Sequence, residues 1–125
     1  MRLLLDTHAL LWWLAADTAL HIEARRAIQG STSEIFVSAA STWEIAIKRA
    51  LGKLRTPGDL EDQLGRHDFQ PLPITIGHAA IAGGLPRHHD DPFDRMLVAQ
   101  AVTEGLVIVT RDARLALYGV ATLAA

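Results

Sequence analysis

The sequence predicts an α/β fold, a three-layer sandwich in which helices cover both faces of a short, mainly parallel β-sheet. Two observations support this prediction. Short apolar runs without polar alternation are typical of parallel strands that are buried on both faces. Helical patterns separate these runs, and strands that alternate with helices favour a parallel sheet. The chain has 125 residues, of which 50% are hydrophobic, so we expect one core and a single domain over residues 1–125.

Three apolar runs are predicted to be strands, and a fourth is a weaker candidate. The three are RLLL at 2–5, EIFVS at 34–38 and LVIVT at 106–110, and the weaker one is VATL at 120–123. The runs are rich in leucine or in β-branched residues, which suits strands packed between two layers of helix. We therefore expect a sheet of three or four strands.

Helical patterns occupy the segments between these runs. They are HALLWWLAA (8–16), TALHIEARRAIQG (18–30), SAASTWEIAIKRALGK (38–53), PGDLEDQLGRH (57–67), TIGHAAIAGGLP (75–86) and PFDRMLVAQAVTEG (92–105). In the third segment, Trp43 begins an apolar repeat at helical spacing. The fourth is predicted to start with Pro57 and Gly58. The last has the strongest signals, because Pro92 suits the first helical position and Gly105 suits the residue just past the end.

Composition and charge exclude several classes of protein. The chain has no cysteine, which removes disulfides, thiol nucleophiles and thiolate metal sites. The net charge of −2 provides no bulk basic field, so a nucleic-acid partner would be held by local patches or by metal. Asp6 interrupts the first apolar stretch before it reaches signal-peptide length. The longest apolar run, residues 9–16, is far shorter than the ~20 residues that span a bilayer, and we expect a soluble, cytoplasmic protein without a membrane partner.

Four carboxylates are predicted to converge at one edge of the sheet. Asp6 follows the first predicted strand, and Asp112 follows the third at the end of VTRD. Glu44 and Asp94 lie in the first turns of two predicted helices. Parallel sheets bind ligands at the carboxyl ends of their strands, and carboxylates that lie close together repel one another. A hard divalent cation, Mg²⁺ or Mn²⁺, is therefore the expected cofactor.

Helix capping is the competing interpretation of each acid. Asp6 and Asp112 could each cap the helix that follows, and Glu44 completes the S-x-x-E spacing of a capping box. Before the last long helix, Asp91 suits the N-cap position. Asp94 is then an acid beyond the one that the cap requires, and this surplus favours the metal interpretation.

Four segments that contain these acids carry a family resemblance. They are LLLDTHALLWW (3–13), SAASTWEIAIKRALGKL (38–54), HHDDPFDRMLVAQA (88–101) and VIVTRD (107–112). Together they resemble the PIN-domain family, most closely its VapC-type toxin ribonucleases of toxin–antitoxin systems, in order and spacing over nearly the whole chain. The resemblance implies a PIN-like fold and a Mg²⁺- or Mn²⁺-dependent endoribonuclease that hydrolyses RNA phosphodiester bonds.

The resemblance also implies roles for individual residues. The catalytic and metal-binding quartet is Asp6, Glu44, Asp94 and Asp112. The first and third of these are the expected direct ligands, and the other two bind the ion directly or through water. Thr110, in the T-x-D element, is expected to support the acids, and Asp91 is expected to support the turn.

The same resemblance implies a protein partner. VapC-type toxins are typically blocked by a cognate VapB-type antitoxin, and they often form homodimers or toxin–antitoxin hetero-oligomers. In LLWWLAA, Trp12 and Trp13 are either buried between the sheet and neighbouring helices or form an exposed apolar patch that receives a partner. We expect an antitoxin segment near these indoles or near the mouth of the active site.

Basic residues near the acids are candidate contacts for RNA. Arg95 and Arg111 are possible phosphate contacts, although Arg95 could instead pair with a neighbouring acid. His88 and His89 form the only pair of adjacent histidines. Adjacent side chains rarely point at one atom, which disfavours a metal-free ribonuclease with one histidine as base and one as acid. Both histidines are expected to be loop residues at the mouth of the site.

Other Mg²⁺-dependent α/β proteins require residues that this sequence lacks. A receiver-type signalling module needs paired acids after the first strand and a lysine after the last, but no lysine follows Lys53. A haloacid-dehalogenase phosphatase needs D-x-D after the first strand, and His8 occupies the second of these positions. The strongest remaining alternative is a non-catalytic PIN-type module that binds RNA or protein.

Overall fold

Strands and helices alternate along the chain in a computed structural model that describes residues 1–56 and 58–125. The strands are β1 (Arg2–Leu5), β2 (Glu34–Ser38), β3 (Gln70–Leu72), β4 (Val107–Thr110) and β5 (Thr122–Ala124). The α-helices are α1 (Thr7–Leu14), α2 (Ile22–Gln29), α3 (Ala39–Ala50), α4 (Leu60–Arg66), α5 (Ile76–Gly84) and α6 (Pro92–Glu104), and a 3₁₀ helix covers Ala113–Tyr118. This alternation is the one that the sequence predicts.

The five strands form one parallel sheet in the order β3-β2-β1-β4-β5. The strand β1 lies at the centre, where Leu3 pairs with Ile35 of β2 on one side and with Val107 of β4 on the other. Parallel pairing places the carboxyl ends of the strands along the same edge. The residues that follow β1 and β4 are therefore brought side by side.

The side chains of β1 alternate between two apolar clusters. Leu3 and Leu5 pack in a cluster that includes residues of α1, α2, α3 and α4, whereas Leu4 packs in a second cluster with Leu97 and Val98 of α6. Successive side chains of a strand point to opposite faces, so the two clusters lie on the two faces of the sheet. The predicted fold class, a sheet flanked by helices on both faces, is confirmed. Among the described residues, none of the helices has both the length and the apolar character that crossing a bilayer requires.

The structure differs from the predicted elements at two strands and at the starts of two helices, of which α2 begins at Ile22 and not at Thr18. The strand β3 was not predicted, because it has three residues and includes Pro71, which sheets tolerate at an edge. The weaker candidate run is a strand, but it covers Thr122–Ala124 instead of 120–123. The helix α4 begins only at Leu60, after the N-cap Asp59, and the predicted start at Pro57 lies outside the described residues. The strongest helix prediction agrees with α6, whose C-cap Gly105 is left-handed with a φ of 68°.

Candidate active site

Asp6 lies at the end of β1 and has two tasks. Its backbone N–H donates to Val109 O at 3.1 Å, which continues the β1–β4 pairing. Its side chain caps α1 by accepting from the N–H of Ala9 at 2.8 Å. The hydroxyl of Thr110 also bonds to this carboxylate. Only 6% of Asp6 is exposed, and this burial raises its pKa, partly offset by the two hydrogen bonds.

Glu44 lies on the buried stripe of α3, with Ser41 and Ile45. One carboxylate oxygen accepts from the hydroxyl of Thr7 at 2.6 Å, and the other accepts from Nζ of Lys48 at 3.0 Å. The capping-box interpretation of this acid is wrong, because α3 begins three residues earlier and its N-cap is Ser38. The carboxylate of Glu44 is therefore free of any capping task and is held towards α1.

Asp94 lies in the first turn of α6, but it does not cap that helix. Asp91 is the N-cap, and its Oδ1 accepts from the N–H groups of Phe93 at 2.8 Å and of Asp94 at 3.0 Å. The side chain of Asp94 remains available, as the sequence suggested. Burial raises its pKa to about 7, and the negative charges of Asp91 and Asp6 add to the effect.

Asp112 follows β4 and is the N-cap of the 3₁₀ helix, through the N–H of Arg114 at 3.0 Å. The guanidinium of Arg114 also binds this carboxylate with both Nε and Nη2. Hydrogen bonding to Arg114 holds the pKa of Asp112 well below its usual range, although partial burial opposes the effect. The hydroxyl of Thr110 accepts from the N–H of Asp112 at 3.0 Å, so this threonine links two of the acids.

His89 joins Asp112 to Asp94. Its Nε2 lies 2.9 Å from Oδ2 of Asp112 and 3.1 Å from Oδ2 of Asp94. Its Nδ1 accepts from the N–H of Asp91 at 3.1 Å. A ring nitrogen that accepts carries no proton, so Nε2 is the donor that faces the two carboxylates. His89 lies in a loop, as expected, but only 7% of it is exposed, so it is a buried part of the cluster.

The structure brings the whole predicted quartet into one cluster. The negative charge of Glu44 contributes to the raised pKa values of Asp6 and Asp94, and the charge of Asp6 contributes to that of Asp94. Asp112 is tied to Asp94 through His89. Sequence reasoning did not identify three of the supporting residues: Thr7, Lys48 and His89. The only local signal for His89 is its position two residues before the N-cap Asp91, which allows the ring to accept that residue's N–H.

Comparison with known protein families identifies the family of the chain that carries this cluster. The sequence model of the PIN domain matches residues 3–121. The chain belongs to the PIN domain family. The match includes every member of the acidic cluster, and of the sheet it leaves out only Arg2 and the strand β5.

Relatives of this PIN domain include proteins that are named as ribonucleases. The chain is 34% identical over 116 residues to ribonuclease VapC22 of Mycobacterium tuberculosis, covering 90% of this chain and 88% of the relative. It is 39% identical over 79 residues to ribonuclease VapC16 of the same organism, covering 58% and 55% of the two chains. The resemblance to VapC-type sequences is thereby confirmed.

Solved structures show the same fold over almost the full length. A toxin–antitoxin complex from Klebsiella pneumoniae matches with a TM-score of 0.67 at 15% identity, covering 97% of this chain and 95% of that chain. VapBC2 from Rickettsia felis, bound to a DNA fragment from its promoter, matches with a TM-score of 0.66 at 12% identity, covering 98% of both chains. A DNA-bound VapBC from Salmonella typhimurium matches with a TM-score of 0.62 at 20% identity, covering 98% and 97%.

The residues of the cluster fit a divalent cation by their chemistry. One ligand atom from each of His89, Asp94 and Asp112 lies within 4.8 Å of the others. Carboxylate oxygens are the ligands that Mg²⁺ and Mn²⁺ prefer. Burial raises the pKa of both Asp6 and Asp94, so keeping these two carboxylates charged costs free energy. A divalent cation held by them would offset this cost.

Arg95, a possible phosphate contact, has a structural role in the fold. Its two terminal amino groups donate to backbone carbonyl oxygens of the last turn of α5 and of the segment between α5 and α6. The acceptors are Ala82, Leu85, Pro86 and His89, at 2.9 to 3.3 Å. These bonds fix the shape of the segment that carries His89, and no acid among the described residues forms an ion pair with Arg95. A phosphate contact of Arg95 stays an untested prediction.

Arg111 is also anchored within the fold. Its Nε and Nη2 donate to the backbone oxygen of Ala125, at 3.2 and 2.9 Å, and Nη2 also donates to Ala19 O. The guanidinium lies over the ring of Trp12, 4.2 Å from its centroid. These contacts connect the end of β5 to α1 and to the segment after α1. A phosphate contact of Arg111 stays an untested prediction, and it competes with this structural role.

The three tryptophans differ in their surroundings. Trp12 and Trp13 are half-buried and pack against the core cluster, so they do not form the fully exposed patch that the sequence allowed. Trp13 contacts the rings of His67 and Phe69. Trp43, which begins the apolar repeat of α3, is 62% exposed.

Proposed function

We propose that the chain is a divalent-metal-dependent endoribonuclease that hydrolyses RNA phosphodiester bonds with an acidic quartet. The observation that carries the proposal is the meeting of Asp6, Glu44, Asp94 and Asp112 at the carboxyl edge of the sheet, in a member of the PIN domain family. Relatives named as ribonucleases support the reaction class.

Asp6 and Asp94 would hold a Mg²⁺ or Mn²⁺ ion, because neither is neutralised by a lysine or an arginine among their described contacts. The one basic partner is His89, which contacts Asp94. When bound, such an ion supplies positive charge to phosphate oxygens and lowers the pKa of water. Glu44 or Asp112 would orient the attacking water through a carboxylate oxygen. Thr110 and His89 would keep the acids in position, and the products would carry a 5′-phosphate and a 3′-hydroxyl.

Cleavage of mixed RNA by the purified chain tests this proposal. We expect cleavage with Mg²⁺ or Mn²⁺ and none with a chelator. Asp94→Asn removes the charge at the site, whereas Asp90→Asn is a matched control because Asp90 is exposed and lies just before the N-cap. Loss of cleavage in the first variant and not in the second is the expected result. RNA binding without metal-dependent cleavage would favour the alternative, a non-catalytic PIN-type binding module.

We further propose that the chain is the toxin of a toxin–antitoxin pair and that a VapB-type antitoxin binds it. The support is that the matching solved structures are toxin–antitoxin complexes. An apolar groove of about 760 Å³ lies between α3, α4 and β3, lined by Ile45, Leu60, Leu64, Phe69 and Leu72. A groove of this kind suits an apolar antitoxin segment. Trp12 and Trp13 do not line this groove, but Trp13 contacts its lining residue Phe69. The sequence placed the contact near these indoles or near the mouth of the active site.

Co-expression with the small protein encoded next to the chain's gene tests the partner proposal. We expect the pair to co-purify and the RNA cleavage to be suppressed in the complex. A groove substitution such as Leu64→Asp should weaken the complex, while Asp62→Lys should not, because Asp62 is exposed on α4 and does not line the groove. Homodimerisation of the free chain and a cytoplasmic location stay predictions.

A further inference from the structure

An aromatic pair, in which Trp43 is exposed and Phe93 is half-buried, adjoins two acids of the cluster in sequence. The rings of Trp43 and Phe93 are in contact, with centroids 5.6 Å apart and planes at 73° to each other. Trp43 immediately precedes Glu44 on α3, and Phe93 immediately precedes Asp94 on α6. The two helices that supply acids to the cluster therefore also supply this pair, with consecutive Cα atoms only about 3.8 Å apart.

Trp43 does not serve as a core residue, because most of its side chain faces solvent. It is 62% exposed, whereas Trp12 and Trp13 are half-buried against the core. A near-perpendicular contact covers at most one face of each ring, so a flat aromatic surface remains open to solvent. The contact with Phe93 also holds the indole in one orientation, so that little side-chain freedom remains to be lost when a second flat ring stacks on it.

We propose that Trp43, supported by Phe93, is a stacking surface for one nucleobase of single-stranded RNA next to the bond that is cut. Aromatic side chains stack on bases without strong sequence preference, because every base presents a flat π-face. A stacking surface next to the acids would bind the RNA close to the reacting phosphate. This inference rests on the proposed ribonuclease function and adds to it a residue for substrate binding.

The test combines a protein substitution with a substitution in the RNA. The probe is a short single-stranded RNA centred on the bond that the chain is found to cut, together with copies in which one nucleotide at a time is abasic. Binding is measured by fluorescence anisotropy with Ca²⁺ in place of Mg²⁺, and KM and kcat are measured with Mg²⁺. The proteins are the full chain and its variants Trp43→Ala, Trp43→Phe and Leu51→Ala. Leu51 is the control, because it is 63% exposed and lies eight residues further along, at the end of α3.

We expect Trp43→Ala to bind the intact RNA about tenfold more weakly, corresponding to about 1.4 kcal/mol for one lost stack. The unsubstituted chain should bind the RNA more weakly by a similar factor when the nucleotide at one position is abasic. At that position, Trp43→Ala should bind the abasic RNA and the intact RNA with the same affinity. Trp43→Phe should restore most of the affinity, Leu51→Ala should change nothing, and KM should rise more than kcat falls. Equal sensitivity of the unsubstituted chain and Trp43→Ala to every abasic position would overturn the inference.

Two other outcomes also decide between explanations. If Trp43→Ala alters the oligomeric state in size-exclusion chromatography and leaves RNA binding unchanged, the aromatic pair is a protein interface and the inference is wrong. If no RNA is cut with any divalent ion, the proposed ribonuclease function fails first. Cleavage that occurs normally in Trp43→Ala, with unchanged KM, overturns the stacking surface and leaves the ribonuclease function intact.

Discussion

The ring nitrogen Nε2 of His89 lies 2.9 Å from Oδ2 of Asp112, although 23 residues separate the two in the chain. The same nitrogen is 3.1 Å from Asp94. One buried imidazole thus fixes the spacing between the carboxylate that follows β4 and the carboxylate that begins α6. His89 is a positioning residue for any ion that these acids hold.

Replacement of His89 should therefore weaken ion binding without removing a carboxylate. We expect His89→Ala to reduce Mn²⁺ affinity by about 10–100-fold, as for other groups that orient metal ligands. Isothermal titration calorimetry measures the change. The control is His88→Ala, because His88 is exposed and its ring packs against Tyr118. Equal affinities in the two variants would show that the acids keep their spacing without the imidazole.

Two substitutions of Asp6 should separate its structural task from its chemical one. Asparagine can still accept the N–H of Ala9, whereas alanine cannot. We expect both Asp6→Asn and Asp6→Ala to abolish RNA cleavage. Only Asp6→Ala should also lose the helix cap, with a destabilisation of about 0.5–2 kcal/mol in urea unfolding. Cleavage at a normal rate by folded Asp6→Asn would contradict the proposed role of its charge.

The metal-free chain should become less stable as the pH rises from about 4 to about 7. The pKa of Asp94 is about 7 in the folded chain, against an ordinary value of 3.8. Between these values the folded state binds more protons than the unfolded state, so the free energy of unfolding falls with increasing pH and levels off above the folded pKa. Thermal unfolding in chelator at a series of pH values measures this dependence.

Asp94→Asn provides the comparison for the pH dependence. It removes the charge, so the slope should flatten and the metal-free variant should be more stable at neutral pH by an amount of the order of 1 kcal/mol or more. Asp90→Asn, at an exposed position, should keep the slope. A divalent ion should raise the stability of the unsubstituted chain more than that of Asp94→Asn. A slope that persists in Asp94→Asn would assign the dependence to another group.

Arg95→Lys should destabilise the fold although the positive charge is kept. A lysine ammonium cannot reach the four carbonyl oxygens that the planar guanidinium binds. Leaving some of these partly buried groups unpaired costs about 1–3 kcal/mol. Chemical denaturation measures the loss, and Arg66→Lys is the control because Arg66 makes only an exposed ion pair with Asp62. Similar stability for the two variants would contradict the anchoring role.

The fold and the quartet were predictable because their signals are local. The strands β1 and β4 are continuous apolar runs, and Asp6 and Asp112 follow them directly. Once parallel pairing is assumed, the position of those two acids follows from the geometry of the sheet. The surplus acid at the start of α6 was also visible, because Asp91 alone completes the cap.

The supporting residues were not predictable, because their roles depend on contacts between distant segments. His89 is buried only because Arg95 fixes the backbone around it and two acids converge on its ring. The S-x-x-E spacing suggested a cap at Glu44, but Ser38 starts the helix one turn earlier. The apolar repeat that begins at Trp43 predicted the helix α3, but it did not show that the buried stripe carries Ser41, Glu44 and Ile45.

The ion pairs of the quartet divide it into two electrically different halves. Glu44 and Asp112 each have a cation in contact, Lys48 and Arg114, and both cations are more exposed than their carboxylates, 38% against 11% and 59% against 25%. Asp6 and Asp94 have no such companion among their described contacts. If the proposed RNA substrate binds here, its phosphates would meet the more exposed ammonium and guanidinium groups before the bare acids, and these cations would offset the repulsion between an acidic pocket and a negatively charged strand.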